Sequence, residues 1–252
     1  CESITTLDLS MFDVTNVTYM ENMFYGCLNL KSLNISSFVP RNVEDMDEMF
    51  FDCKSLENIN FGNNFKTSNC STMEQMFQNC ESLKKADVLS FDTSNLYNMY
   101  AMFCNCKSLE TVDLSGFNSQ YEVSPYDMFR GCEKINNLDF RNFNVDTVNY
   151  AFEGCLNLTH IYLSESFASK INDAMLTGSW KNLDTGEIYE ENESHETTIP
   201  AVAGEYVKGP YIIKFDKNDG TGIAMSDIEN VKYDEEVTLP ESTFTKIGND
   251  FY

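Results

Sequence analysis

The sequence predicts an α/β solenoid, with one short strand and one helix in each repeat of roughly 26 residues, followed by a small β-rich module. The first observation behind this is a cysteine column: Cys1, Cys27, Cys53, Cys80, Cys106, Cys132 and Cys155 step by 26, 26, 27, 26, 26 and 23 residues. The second is the pair before each cysteine: Met23-Phe24, Met49-Phe50, Met76-Phe77, Met102-Phe103, Met128-Phe129, then Ala151-Phe152. The third is a phenylalanine column: Phe12, Phe38, Phe65, Phe91, Phe117, Phe143 and Phe167. Columns held in one register define units that bury their apolar faces by stacking on each other.

Each unit has two parts. After the cysteine comes LxxLxL, as in Leu30 to Ser36 and Leu109 to Ser115, the strand signature of a leucine-rich-repeat solenoid. Period two points Leu33 and Ile35 inward and Asn34 outward. The second part follows a turn rich in Asp, Thr, Ser and Asn. In the first unit Val17, Met20, Phe24 and Cys27 fall at i, i+3, i+7 and i+10, which predicts a helix, with Thr15 (Ser94 in a later unit) as N-cap. A helix of about ten residues is marginal alone, so its stability is expected to come from stacking.

The register changes at the edges. Cys1 already belongs to the cysteine column, so a preceding half-unit is expected before it. The unit ending at Cys155 is three residues short, and in the next one Gly178, Ser179 and Trp180 stand where the cysteine would be. That unit is read as a C-terminal cap, with Trp180 closing the core. The expected domains are therefore a solenoid with its cap over 1–180, an acidic linker over 181–209 and a β-rich module over 210–252. In the last of these Tyr211, Ile213 and Phe215 alternate ahead of an Asp219-Gly220 hairpin turn.

The chain has 252 residues, 40 acidic and 17 basic, for a formal net charge of −23. This balance disfavours nucleic acid and anionic membrane surfaces and favours cationic partners, bound cations or a plain soluble exterior. No run of about 18 apolar residues is present, so no membrane insertion is expected.

The unit from Asp8 to Leu33, with its MF-x-(G/N/D)-C core, resembles the BspA-like leucine-rich repeat of bacterial surface proteins and mycoplasma lipoproteins. The resemblance covers residues 1 to about 180. It implies a cell-surface or secreted adhesive protein of bacterial origin, and it transfers no catalytic residue. Residues from Tyr211 onward resemble the Listeria–Bacteroides (internalin B-type) repeat, a β-grasp module. Its closing strand would begin near Phe251, so the module is expected to be incomplete.

The candidate ligand-binding surface is the outward strand column on the concave face: Asp8, Asn34, Asn60, Asp87, Asp113, Asp139 and Tyr162. Adjacent carboxylates about 4.8 Å apart repel unless solvated or paired. The row thus reads either as a solvated polar face beside Lys84 and Lys85, or as a cation site or the floor of a ligand surface. Its flanks are short of aromatics, and only Tyr162 offers a hot-spot residue type. No cofactor, metal or catalytic set is expected. No CxxC pair exists, and His160 and His195 lie in different regions. The column cysteines and Cys70 are read as reduced core residues, Cys104 as the solvent-accessible exception, and His160 as a surface histidine. Asn16, Asn34 and Asn157 match glycosylation sequons but carry no functional weight. The expected function is non-enzymatic binding of an extracellular or host protein or glycan, with a structural stalk or spacer as the alternative.

Overall fold

The computed structural model describes residues 3–192, 197–209, 211–213 and 228–231. It departs from one expectation: among the described residues the solenoid is almost wholly β, and no coil before the C-terminal cap contains a helix. The strand half is as expected. β1 (Thr6–Asp8), β2 (Ser32–Asn34) and β3 (Asn58–Asn60) pair in parallel, with Leu7, Leu33 and Ile59 in one register. β4 (Lys85–Ala86) pairs with β5 (Thr111–Val112), and β6 (Asn137–Phe140) with β7 (His160–Leu163), again in parallel.

The half expected to be helical is instead a ladder of tight turns. In the first coil Met20, Asn22, Phe24 and Gly26 donate their N–H groups to Asp45, Asp47, Met49 and Phe51 of the next coil, at 3.0, 3.0, 2.9 and 2.8 Å. The intervening donors Met23, Tyr25 and Cys27 close turns on Met20, Asn22 and Phe24, three residues back. A helix would send every donor four residues back along its own chain. The reason is visible in the backbone. Asn22, Glu48, Gln75, Ala101, Asp127 and Tyr150 have positive φ, and so do Gly26, Asp52, Asn79, Asn105, Gly131 and Gly154 four residues later. Two left-handed residues per unit interrupt any right-handed helix. The α/β leucine-rich-repeat reading is therefore corrected to a β-solenoid. Neither Thr15 nor Ser94 caps a helix; their N–H groups donate to Asp13 and Asp92 in local turns.

From the second coil onward the methionine, phenylalanine and cysteine columns are buried as expected; in the first coil Phe12 (60 % exposed) and Met23 (44 % exposed) are not. Phe24, Phe50, Phe77, Phe103 and Phe129 stack with ring centroids 5.3–5.4 Å apart. That is slightly more than the coil spacing of about 4.8 Å, as offset stacking requires. Each thiol of Cys53, Cys80, Cys106, Cys132 and Cys155 donates to the carbonyl of a phenylalanine one coil earlier, at 3.0–3.2 Å. The described cysteines are all free and buried. Burial pushes the Cys53 and Cys70 thiols up to about 12. Cys104, expected to be accessible, is only 6 % exposed, and burial beside Asp127 raises it to about 11.

The stack closes at its C-terminal end by reversing direction. The four-residue helix α1 (Glu165–Ala168), capped by Ser164, seats Phe167 against the last coils. β8 (Trp180–Asn182), β9 (Ile188–Tyr189) and β10 (Gly204–Lys208) then join β6 and β7 in one sheet of order β6-β7-β10-β8-β9. β10 lies antiparallel on β7, so residues between 181 and 209 contribute strands to the solenoid's end. Trp180 is fully buried there, its indole N–H donating to the Thr177 carbonyl. Of the C-terminal module, only β11 (Tyr211–Ile213) and β12 (Ile228–Val231) are described, as an antiparallel pair. The Asp219-Gly220 turn, Phe215 and His195 lie outside the described residues.

Candidate functional site on the strand face

The outward strand column is brought into one row, but most of its side chains serve the backbone. Asp8, Asn34, Asn60, Asp113 and Asp139 each accept, through Oδ1, the N–H two residues on: Ser10, Ser36, Gly62, Ser115 and Arg141. These Asx turns end the strand and redirect the chain. The early members also bond to each other, Asn34 donating to Asp8 and Asn60 to Asn34, at 3.1 and 3.2 Å. The Ser10 N–H holds the Asp8 carboxyl below its ordinary range, and Ser115 does the same for Asp113. At Asp139 burial works against ionisation, yet the Arg141 guanidinium outweighs it and the pKa is lowered. The repulsion expected along the row is thus answered by hydrogen bonds and, at Asp139, by a two-pronged arginine contact at 2.6–3.1 Å.

Tyr162 ends the row inside a polar cluster. Its hydroxyl donates to Glu205 of β10 at 3.0 Å, its ring lies under the Arg141 guanidinium at 4.5 Å, and it stacks on His160. His160 Nε2 lies 2.6 Å from Glu205, and this contact holds the Glu205 carboxyl below its usual range. His160 is therefore a half-buried partner of the cap strand rather than a free surface group.

The face also carries a hollow. β3 and β4 belong to different sheets, and between them is a hollow of about 330 Å³ lined by Glu57, Asn58, Ile59, Lys84, Lys85 and Asp87. The coil that crosses this gap is the one with 27 residues, its extra residue falling between Phe61 and Phe65. Asp87 is exposed and faces the hollow, with Lys84 and Lys85 beside it. Both signs of charge and an apolar side chain line this place, a mixture suited to a polar, uncharged or zwitterionic group.

Sequence reasoning missed the other side of the coil, because that side was assigned to a helix. The turn ladder carries the exposed tyrosines that the strand face lacks. Half-buried Tyr100 and Tyr126 and exposed Tyr150 succeed one another with centroids 5.4 and 5.8 Å apart, and Tyr97, in the same coil as Tyr100, is exposed. The signal was a tyrosine-rich run in the fourth unit, Tyr97 and Tyr100, continued by Tyr126 and Tyr150.

Among the described residues, no group of three or more His, Cys, Asp or Glu is disposed to hold a metal ion. No helix there is long and apolar enough to cross a membrane. No curated protein and no solved structure matches the chain. A family model described as "Mycoplasma protein of unknown function, DUF285" matches it twice, over residues 1–85 and 58–167. These overlapping matches take in the repeats from the first coil to the last, well over half of the chain, and the chain belongs to that family.

Proposed function

We propose that this chain is a non-enzymatic binding module, displayed at a bacterial cell surface or secreted, whose strand face receives a protein or glycan ligand. The observation that carries the reading is the hollow between β3 and β4, whose lining residues take no part in the Asx turns described above. The surface placement rests on the sequence resemblance to BspA-like and internalin B-type repeats. Asp87 and the neighbouring Asp113 and Asp139 form the acidic flank of the site, and Lys84 and Lys85 its basic wall. A stalk or spacer is the second reading, favoured by how much of the row is already used in capping turns.

The test is binding of the purified chain to immobilised matrix proteins and to a glycan array. It is run beside an Asp87→Asn/Asp113→Asn/Asp139→Asn variant and a Lys84→Ala/Lys85→Ala variant. Asparagine keeps the fold because Asn34 and Asn60 already make the same turn in their coils. A ligand lost in either variant supports the strand-face site. A ligand retained in both moves the site elsewhere, and no ligand at all favours the spacer.

A further inference from the structure

Basic residues are unevenly distributed between the two sides of the coil, while acidic residues occur on both. In the turn-ladder segments 17–26, 43–52, 70–79, 96–105, 122–131 and 145–154, Arg130 is the single basic residue. It is already engaged, with Glu153 at 2.8 Å and Asp127 at 3.6 Å. The same segments hold Glu44, Asp45, Asp47, Glu48 and Glu74 in the first three coils, and Lys31, Lys54, Lys84, Lys85 and Lys107 all lie on the strand side. The later coils carry tyrosines, with Tyr97 53 % and Tyr150 38 % exposed, and the Tyr150 ring already holds the Arg130 guanidinium 5.8 Å from its centroid. In the same coils Asp127 is nine-tenths buried and already partnered, by the Arg130 guanidinium at 3.6 Å and by a hydrogen bond from Tyr100, so it adds no free charge to the face.

We propose that the turn-ladder face is a docking surface for a lysine- and arginine-rich polypeptide segment. The acidic coils draw in the chain, and Tyr97, Tyr100, Tyr126 and Tyr150 take its cationic side chains against their ring faces. The occupant is a polypeptide rather than a small cation because of the length of the surface. Six stacked coils span about 24 Å at about 4.8 Å per step, so neutralising them needs charges spread along a chain. Arginine suits the rings because it is weakly hydrated and planar. This surface is independent of the strand face, and either can exist without the other.

The test is fluorescence anisotropy with a labelled peptide of mixed arginine and lysine at physiological ionic strength, against the intact chain. A Tyr97→Ser/Tyr150→Ser variant leaves the net charge unchanged and removes two exposed rings. It is expected to weaken binding about five-fold or more, from about two- to five-fold per exposed cation–π contact. Two charge variants are matched: Glu44→Gln/Glu48→Gln/Glu74→Gln on this face, and Asp87→Asn/Asp113→Asn/Asp139→Asn on the strand face. Gln75 occupies the position of Glu48 one coil later with the same φ of 54°, so the glutamine is tolerated. The first is expected to weaken binding at least five-fold, and the second to stay within two-fold. Tyrosine substitution without effect, equal losses in the two charge variants, or equally tight binding of spermine would each overturn the proposal. Unchanged circular dichroism and melting temperature establish that each variant is folded.

Discussion

Replacing Gly26 by alanine separates a turn ladder from a helix by the sign of its effect. Gly26 has φ +65° and a Cβ built there meets nothing within 4 Å, so the change is felt by the backbone alone. Holding alanine in the left-handed region costs about 1–2 kcal/mol, and the stiffer unfolded chain returns about 0.4–1 kcal/mol. The expected net loss is about 1 kcal/mol. Gly62→Ala provides the steric contrast. It also has positive φ, and its Cβ would lie 2.5 Å from the Ser36 carbonyl oxygen, in backbone that cannot swing aside. Overpacking of this kind adds about 1–3 kcal/mol, so this variant should lose about 2–4 kcal/mol. Urea denaturation of the wild type and both variants reads the losses as lower midpoints at constant slope. Were the segment helical, Gly26→Ala would stabilise the protein by up to about 1 kcal/mol. That gain would refute the reasoning.

The cysteines give a second expectation: in the native protein the described thiols resist an aromatic disulfide reagent, and all react in denaturant. Cys80→Ala should destabilise by about 1–2 kcal/mol, since it removes the packed sulfur and its bond to the Phe50 carbonyl. A fast-reacting native thiol would contradict the buried, reduced column. Asp47 gives a third. Burial raises its pKa to about 6 despite bonds from Thr72 and the Glu74 N–H, at 2.6 Å each. A raised folded-state value means that Asp47 contributes stability at low pH, which is lost as pH rises from about 4 through about 6. Asp47→Asn should therefore stabilise the protein at pH 8 more than at pH 4, and melting temperatures that shift equally at both would contradict the assignment.

The repeat, its register and the inward columns were legible because they depend only on which residues recur. The helix was misread because the ladder places Met20, Phe24 and Cys27 inward at intervals of four and three, the spacing that a helix would use. The corrective signal was partly present. Gly26, Asp52, Asn79, Asn105, Gly131 and Gly154 form a column of the residue types that tolerate positive φ. The companion column was not readable, since Glu48, Gln75, Ala101 and Tyr150 have no intrinsic left-handed preference and are held there by the bonds between coils. The candidate site divides in the same way. That Asp8, Asn34, Asp113 and Asp139 point outward followed from strand alternation. Their Asx turns were signalled only by the serine two residues after Asp8, Asn34 and Asp113, a short-range cue easily taken for loop composition. The hollow beside Lys84 and Lys85 depends on how β3 and β4 part, which no local pattern encodes.

The most direct test of the turn-ladder solenoid is the through-hydrogen-bond scalar coupling of the Phe77 amide, measured by NMR on the deuterated protein. The structure places the Met102 carbonyl of the next coil 2.9 Å from this nitrogen, so a Phe77–Met102 correlation is predicted. A correlation instead to Met73, four residues back in the same coil, would restore the helix and contradict the account.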